Sequence, residues 1–374
     1  MKSLFFYGTL RYVPLLSLVL GRAADDLDVT EARLAGHGVF WAKDEAFPTL
    51  VEREGVAQGV LVRGLSADDI ARLNFYEGGF DYALKPVTVE TGQGAVATEV
   101  YFSDPGLWQV GAPWSLDDWA AAWGAMTLEA AQEVMGYFGA KSAAEVARMF
   151  PMIRARASAR VNAATVNRAY SPSGYTAQDV QENGRLRPYV NFFALDEYDL
   201  RFRRYDGGQS DMVRRAVFVA TDAVIVLPYD PVRDRVLLVE QFRPGPYVRG
   251  DDLPWQLEPI AGRVDAGETP EATAHREARE EAGLTLQALH DVAHCYASPG
   301  CSTEYYNIYL GLADLPDDVA GVAGLESEAE DIRSYLFDFD TLMQMVDDMR
   351  MVNAPLVLAA LWLARHRDRL RKVA

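Results

Sequence analysis

Cysteine and histidine are scarce in this chain: two Cys, at 295 and 301, and five His in 374 residues. Two thiols do not make a disulfide framework. His37, His275, His290, His294 and His366 show no metal-ligand spacing, so a zinc site is not expected. Basic side chains are also short, with 36 Lys and Arg against 54 Asp and Glu and a formal charge of -18. That imbalance argues against a nucleic-acid surface and against an anionic membrane as partner. Long apolar runs are missing as well. No uninterrupted stretch reaches the roughly 18 residues of a membrane span. The apolar N-terminus is broken by Gly8, Arg11 and Pro14, with no clean small-residue cleavage site after it, so it does not read as a secretory signal. Cytoplasm is the expected compartment.

What is present exceeds one ordinary core, and two domains are expected from the length and from a hydrophobic content of 49%. Residues 3–7 (SLFFY) read as a short apolar strand that stops at Gly8. Further strands are expected at 37–41, 57–63 and 85–102, with a helix around 66–76 capped by Ser66 and Asp68-Asp69. This small α+β unit ends near Pro113. Residues 115–167 are rich in Ala, Met and Glu and read as two or three helices that connect and brace the domains. From about 185 the pattern changes. Residues 192–208 alternate apolar with polar and end in Gly207-Gly208, a hairpin signal. Apolar runs at 213–219, 223–230 and 235–242 follow, the last two flanking the turn-like D-P-V-R-D. A helix over 269–282, strands at 289–297, 305–312 and 332–338, a long loop at 313–329 and helices at 340–349 and 354–369 complete a mixed α/β sheet sandwiched by helices. The expected division is residues 1–113, a helical connector over 114–184, and residues 185–374.

One segment carries most of the chemistry. Residues 262–284 read GRVDAGETPEATAHREAREEAGL. Glu268 follows Gly262 after five residues, and seven more lead to Arg276-Glu277, then Glu280-Glu281, Gly283 and Leu284. On one helix Glu277, Glu280 and Glu281 stand at i, i+3 and i+4, so their carboxylates project from adjacent places on one face. Like charges that close repel unless something neutralises them, and a hard cation such as Mg²⁺ prefers carboxylate and phosphate oxygens. Glu280-Glu281 taken alone would read as a solvated helix face; the full spacing points instead to a metal-dependent pyrophosphate hydrolase, and leaves open what the diphosphate is linked to.

The segment resembles the Nudix box at every defining position. The resemblance implies that Glu277, Glu280 and Glu281 are metal ligands, that Arg276 pairs with Glu268 to tie the preceding loop to the helix, and that Gly262 lets the loop turn. Over about 185–370 the chain is similar to the ADP-ribose pyrophosphatase branch. Pro299, fifteen residues beyond Leu284, the run LPYDPVRDRVLLVEQFR, the lead-in EPIAG at 258–262, the loop GLESEAEDIR at 324–333 and the C-terminal NAPLVLAALWL carry that likeness. It implies that the carbonyl of Ala261 joins Glu277 and Glu281 on Mg²⁺, with Glu280 sharing one of two or three ions and Mn²⁺ a possible substitute. Glu330 would reach the cluster when substrate binds, and Glu328 would accept a proton from the attacking water. Arg215 and Arg243 would contact phosphates or ribose, and Glu304 would lie near the diphosphate. The implied reaction takes ADP-ribose to AMP and ribose 5-phosphate; other nucleotide sugars, dinucleotides and a non-catalytic sensor are the alternatives. A homodimer that exchanges residues 190–215 is implied as well.

The first domain holds a second constellation. FFYGTL at 5–10 places a glycine-containing turn after the first strand, where backbone N–H groups can face an anion, and NFYEG lies at 74–78. Together they resemble the γ-glutamyl cyclotransferase-like (AIG2-like) fold, a small barrel-like α+β domain, over roughly residues 1–110. The resemblance implies that Tyr7, Gly8, Thr9 and Leu10 cradle a γ-glutamyl group while Glu77 shuttles a proton. A Tyr-x-Arg that often follows the glutamate is missing: Tyr82 is followed by Ala83, Leu84 and Lys85. Fusions of this kind resemble bacterial proteins labelled as tellurite resistance proteins.

Overall fold

A computed structural model describes residues 1–78, 82–103, 106–165, 171–324 and 330–373. The chain divides into two compact units, residues 1–169 and 170–374. Among the described residues no helix is long and apolar enough to cross a membrane.

The first unit runs β1 (Lys2–Phe6), α1 (Val13–Leu20), β2 (Asp28–Ala42), β3 (Pro48–Leu65), α2 (Ala67–Glu77), β4 (Tyr82–Thr91), β5 (Gly94–Ser103), β6 (Val110–Pro113), α3 (Leu116–Met135) and α4 (Ala143–Thr165). The strand order is β3-β1-β5-β4-β2-β6, and β3 also pairs with β2, so five strands close into a barrel. Closure leaves those five strands without an open edge. β1 and β5 are parallel and the other pairs antiparallel. The interior is filled from alternate positions, among them Phe5, Leu34, Leu61, Val89 and Val100. At Gly59 a Cβ would come within 2.3 Å of the Phe5 ring, so only glycine lets that ring lie against β3. Ser66 caps α2 as expected, accepting from the Asp69 amide while the Asp69 carboxylate accepts from the Ser66 amide.

One expectation for this unit is corrected. The single strand expected at 85–102 is a hairpin, β4 and β5, turning at residues 92–93 before Gly94 at φ +109. Helix α1 was not expected; its signals were Pro14 in the first turn and Gly21 as a left-handed C-cap. The helices α3 and α4 lie within the first unit. Trp119 of α3 is fully buried and donates from Nε1 to the Ala46 carbonyl at 2.8 Å. Arg156 of α4, also buried, reaches Glu133 of α3 at 2.6 Å.

The second unit runs β7 (Val180–Val190), β8 (Ala194–Phe202), β9 (Val213–Val219), β10 (Asp222–Asp230), β11 (Arg235–Phe242), α5 (Pro244–Arg249), β12 (Trp255–Glu258), β13 (Ile260–Arg263), α6 (Pro270–Ala282), β14 (Ala288–Tyr296), β15 (Tyr305–Leu312), β16 (Val322–Ala323), β17 (Ile332–Asp338), α7 (Phe339–Asp347) and α8 (Ala354–Val373). Strands β7, β8 and β9 form a three-stranded antiparallel sheet. The larger sheet has the order β14-β15-β10-β11-β17-β16, with β13 on β10 and β12 on β11. Its central strands read as continuous apolar runs because both faces are buried. Val224 and Val226 of β10 pack with Ala274 and Ala278 of α6 on one face. Ile225 and Leu227, one residue out of phase, pack with Leu342, Leu356 and Ala359 of α7 and α8 on the other. The expected sandwich of helices on a mixed sheet is what folds.

Strands β10 and β11 pair only at Tyr229–Val236 and Asp230–Arg235 next to their turn, then diverge. The pair β12 and β13 fills the gap, with Gly262 opposite Val224 and Glu258 opposite Val239. This insertion sets the EPIAG segment against α6.

Candidate active site

Helix α6 is defined at both ends. Thr269 accepts from the Ala272 amide, Pro270 occupies the first turn, and Gly283 closes the helix in the left-handed region at φ 64. Ala274, Ala278 and Ala282 form the face that meets the sheet, and Glu281 lies among them, 1% exposed. The helix therefore carries a carboxylate where spacing alone would put a core residue.

The loop tie expected from the box is formed. Arg276 Nε donates to Glu268 Oε1 at 3.1 Å and Nη2 to Glu268 Oε2 at 3.0 Å, while Nη2 also reaches the Arg263 carbonyl at 3.2 Å. The same guanidinium donates through Nη1 to Glu277 at 2.7 Å and Glu280 at 2.9 Å. Hydrogen bonds from Arg276, and then from Thr273, hold the Glu268 carboxyl below its usual range. Glu281 accepts from the Ala261 amide at 3.2 Å. Gly262 meets the helix with no room to spare: a Cβ there would stand 1.9 Å from both Cδ and Oε1 of Glu277.

Burial raises the Glu277 carboxyl to about 7, with Glu280 and Glu330 pushing the same way against Arg276. Burial and the neighbouring Glu277 raise the Glu281 carboxyl well above its usual range, with Glu330 adding to them and the Ala261 amide and Arg243 opposing. The buried Glu281, the half-buried Glu277 and Glu330 act on one another as like charges. Carboxylate oxygens are the donors a hard divalent cation prefers. Among the described residues no three His, Cys, Asp or Glu side chains are gathered closely enough to grip an ion; Arg276 holds Glu277 and Glu280. Glu328, the candidate base, lies outside the described residues.

Of the candidate substrate contacts, Arg243 and Glu304 belong to this neighbourhood. Arg243 follows β11, donates to Glu258 Oε1 at 2.7 Å and acts electrostatically on both Glu281 and Glu304. Glu304 is raised by burial, opposed by a hydrogen bond from Tyr306 and by Arg243. Arg215 lies exposed on β9, donates to the Arg214 carbonyl and, among the described residues, has no hydrogen bond to the box carboxylates. Glu258 was missed as a site residue although its segment was singled out. It is 4% exposed and receives Arg243 on one oxygen and Asn353 on the other, at 3.2 Å. Its signal was a glutamate closing an apolar strand, where a charge must have partners.

The first unit holds a cavity of about 120 Å³. Tyr7, Gly8, Thr9 and Leu10 line one wall, and Glu77, at the end of α2, lines another. Sequence reasoning had not joined Tyr76, Tyr101, Thr127 and Arg154 to them. Burial raises the Glu77 carboxyl to about 7. The proton is therefore retained in the folded chain and released in the unfolded one over the range between the two pKa values, so stability falls as pH rises from about 4.5 through 7. Glu77→Gln removes that loss. Relative to the parent, the variant is expected to gain about 1 kcal/mol between roughly pH 5.5 and pH 8.5, after discounting for partial exposure. The check is the melting temperature of both chains across that range; a constant difference between them would count against a neutral Glu77.

The second unit thus joins a capped helix bearing a carboxylate cluster to a sheet insertion that a side chain on Gly262 would block, the arrangement of a box-containing diphosphate hydrolase. The NUDIX domain model matches residues 219–359, and the model of the γ-glutamyl cyclotransferase, AIG2-like family matches residues 4–121. The ADP-ribose pyrophosphatase of Escherichia coli (strain K12) is 38% identical over 200 residues, covering 54% of this chain and 95% of that protein. The ADP-ribose pyrophosphatase of Haemophilus influenzae is 34% identical over 191 residues, 50% of this chain and 88% of its own length. A GDP-mannose pyrophosphatase of Yersinia pestis is 29% identical over 170 residues, 45% of this chain and 83% of that one. The chain belongs to the Nudix hydrolases, in the ADP-ribose pyrophosphatase family, and carries an AIG2-like domain at its N-terminus.

Proposed function

We propose that the second unit cleaves the diphosphate of ADP-ribose to AMP and ribose 5-phosphate with the help of a divalent cation, most simply Mg²⁺. The observation that carries this reading is the buried Glu281 and half-buried Glu277 set against Ala261 and Gly262, with Arg243 on the same site. Glu277, Glu281 and the Ala261 carbonyl would hold the cation, with Glu280 and Glu330 as further donors. Bound there, it would withdraw charge from the diphosphate oxygens and acidify a water. Glu328 accepts the proton of that water. Arg243, held in place by Glu258, takes a phosphate or ribose oxygen, with Arg215 a second phosphate or ribose contact and Glu304 near the diphosphate. Arg276 and Glu268 fix the helix to its loop and set where Glu277 stands. The test is to incubate the purified chain with ADP-ribose and Mg²⁺ and identify the products; AMP with ribose 5-phosphate is expected. Preferential turnover of GDP-mannose, the substrate in the name of the Yersinia relative, would move the specificity and keep the chemistry.

The sheet of β7, β8 and β9 is the proposed homodimer contact. Leu186, Tyr189, Phe192 and Phe202 stand exposed there, more apolar surface than a solvated sheet usually presents.

A second activity is proposed for the first unit, carried by Glu77 and residues 7–10 sharing one cavity. The α-amine of a γ-glutamyl compound attacks its own γ-carbonyl carbon, a ring C–N bond forms and the bond to the leaving amine breaks. Glu77 takes the proton from the attacking nitrogen and delivers it to the departing one, giving 5-oxoproline and a free amine.

A further inference from the structure

Arg243 is held by a line of two hydrogen bonds that leads away from the box. Its Nε donates to Glu258 Oε1 at 2.7 Å. The other oxygen of that carboxylate, Oε2, accepts from Asn353 Nδ2 at 3.2 Å, across 95 residues of sequence. Asn353 immediately precedes α8, and its side-chain oxygen is engaged as well. Oδ1 accepts from the Leu356 amide at 2.9 Å, and the Asn353 carbonyl accepts from the Val357 amide at 3.1 Å. One end of this side-chain amide therefore caps α8 while the other reaches β12. The cap is fixed to the sheet. Leu356, Ala359, Ala360 and Leu363 of α8 are fully buried in the cluster that holds Ile225, Leu227 and Leu238. Further along, Arg371 donates to Asp234 at 2.6 Å. Glu258 is itself buried, so an oxygen deprived of its donor there has little water to turn to. Arg243 stays partly exposed, and among the described residues its terminal nitrogens make no hydrogen bond. Holding Nε fixes the plane of the guanidinium and leaves those nitrogens to aim at a ligand oxygen.

We infer that Asn353 is a positioning residue for the second unit: through Glu258 it sets the bearing of the Arg243 guanidinium on the diphosphate substrate. This rests on the diphosphatase reading and adds to it a residue from outside the box. Asn353 touches no substrate atom; it holds the carboxylate that holds the arginine. The packing of α8 on the sheet is thereby coupled to substrate binding, because the residue that starts the helix also fills the second oxygen of Glu258.

Asn353→Ser keeps an oxygen to cap the Leu356 amide and removes the donor to Glu258. Steady-state kinetics of the full chain with ADP-ribose and Mg²⁺ are expected to show KM raised about 5-fold or more. The kcat is expected to stay within about 2-fold of the parent, because Arg243 holds the substrate before and during the reaction alike. The same substitution is then made in an Arg243→Met chain, where the contribution of the arginine is already gone. There it is expected to change kcat/KM by less than about 2-fold, since two changes on one line of contacts do not add. A parental KM in Asn353→Ser would overturn the role of Asn353, as would a fall confined to kcat. A penalty of equal size in both backgrounds would overturn it too, as the mark of a residue that acts through the fold alone. Each of these results leaves the diphosphatase reading standing, because turnover by the parent carries that. No turnover of ADP-ribose by the parent would overturn both. Should Asn353→Ser melt below the parent, Asn353→Asp, which has the shape of the amide and also caps a helix, takes its place with the same outcomes.

Discussion

Replacing Glu281 by Gln is expected to lower kcat for ADP-ribose on the order of 10³-fold while leaving the fold as stable as before, or more so. The substitution keeps the shape of the side chain and an oxygen to accept the Ala261 amide. It removes only the charge. A carboxylate 1% exposed, facing Glu277 and Glu330, burdens the protein when no cation is bound. Its amide relieves that burden, so the melting temperature without metal is expected to hold or rise. Activity and stability then move in opposite directions, as at sites where function is kept against stability. Loss of both together would mark Glu281 as a structural residue. A kcat within 10-fold of the parent would remove it from the active site.

Gly262→Ala is expected to cost about 100-fold in kcat, although it adds one methyl group at a position 15 residues away in sequence from Glu277. The new Cβ would lie 1.9 Å from Glu277 Cδ and Oε1 and 2.5 Å from Cγ. No carbon tolerates such approaches, so either Glu277 swings away or β13 lifts from α6. Glu277 is not free to swing without loss, because Arg276 holds it at 2.7 Å in the same network that binds Glu268. The expected destabilisation is about 1–3 kcal/mol, the usual range for overpacking. Kinetics and urea unfolding of the variant test this together. An alanine chain with the parent's kcat would show that the approach of β13 to α6 is not needed for turnover. The sequence reading had credited Gly262 with a turn; the structure places it in a strand, where what it provides is space.

How much of this was legible in advance depends on what each element uses as its signal. The box was legible because its residues are local: cap, helix face, ion pair and C-cap all lie within 262–284. The two faces of β10 were visible as an apolar run because alternation stops when both sides are covered. Sites assembled from distant segments left weaker traces. Glu258 becomes a partner of Arg243 only when β12 pairs with β11, and Arg154 reaches the cavity only through the packing of α4 on α3. Composition described 115–167 as helical but could not say which unit its alanine faces would meet. Strand β7 escaped because it is polar, Q-E-N-G-R-L-R-P; its support comes in part from Arg185 and Arg187 on the fully buried Asp196, at 2.7 and 2.6 Å. The β4–β5 turn was hidden inside a run of strand formers, its one strained position a glycine.

The central claim is that the carboxylates of α6 serve diphosphate hydrolysis through a cation. It is tested most directly by following AMP release from ADP-ribose with chelator-treated protein as Mg²⁺ is returned. The account predicts no AMP before addition and a rate that rises to saturation with the ion, with ribose 5-phosphate formed in equal amount. AMP released at full rate in the presence of chelator, or no AMP at any Mg²⁺ concentration, would contradict it.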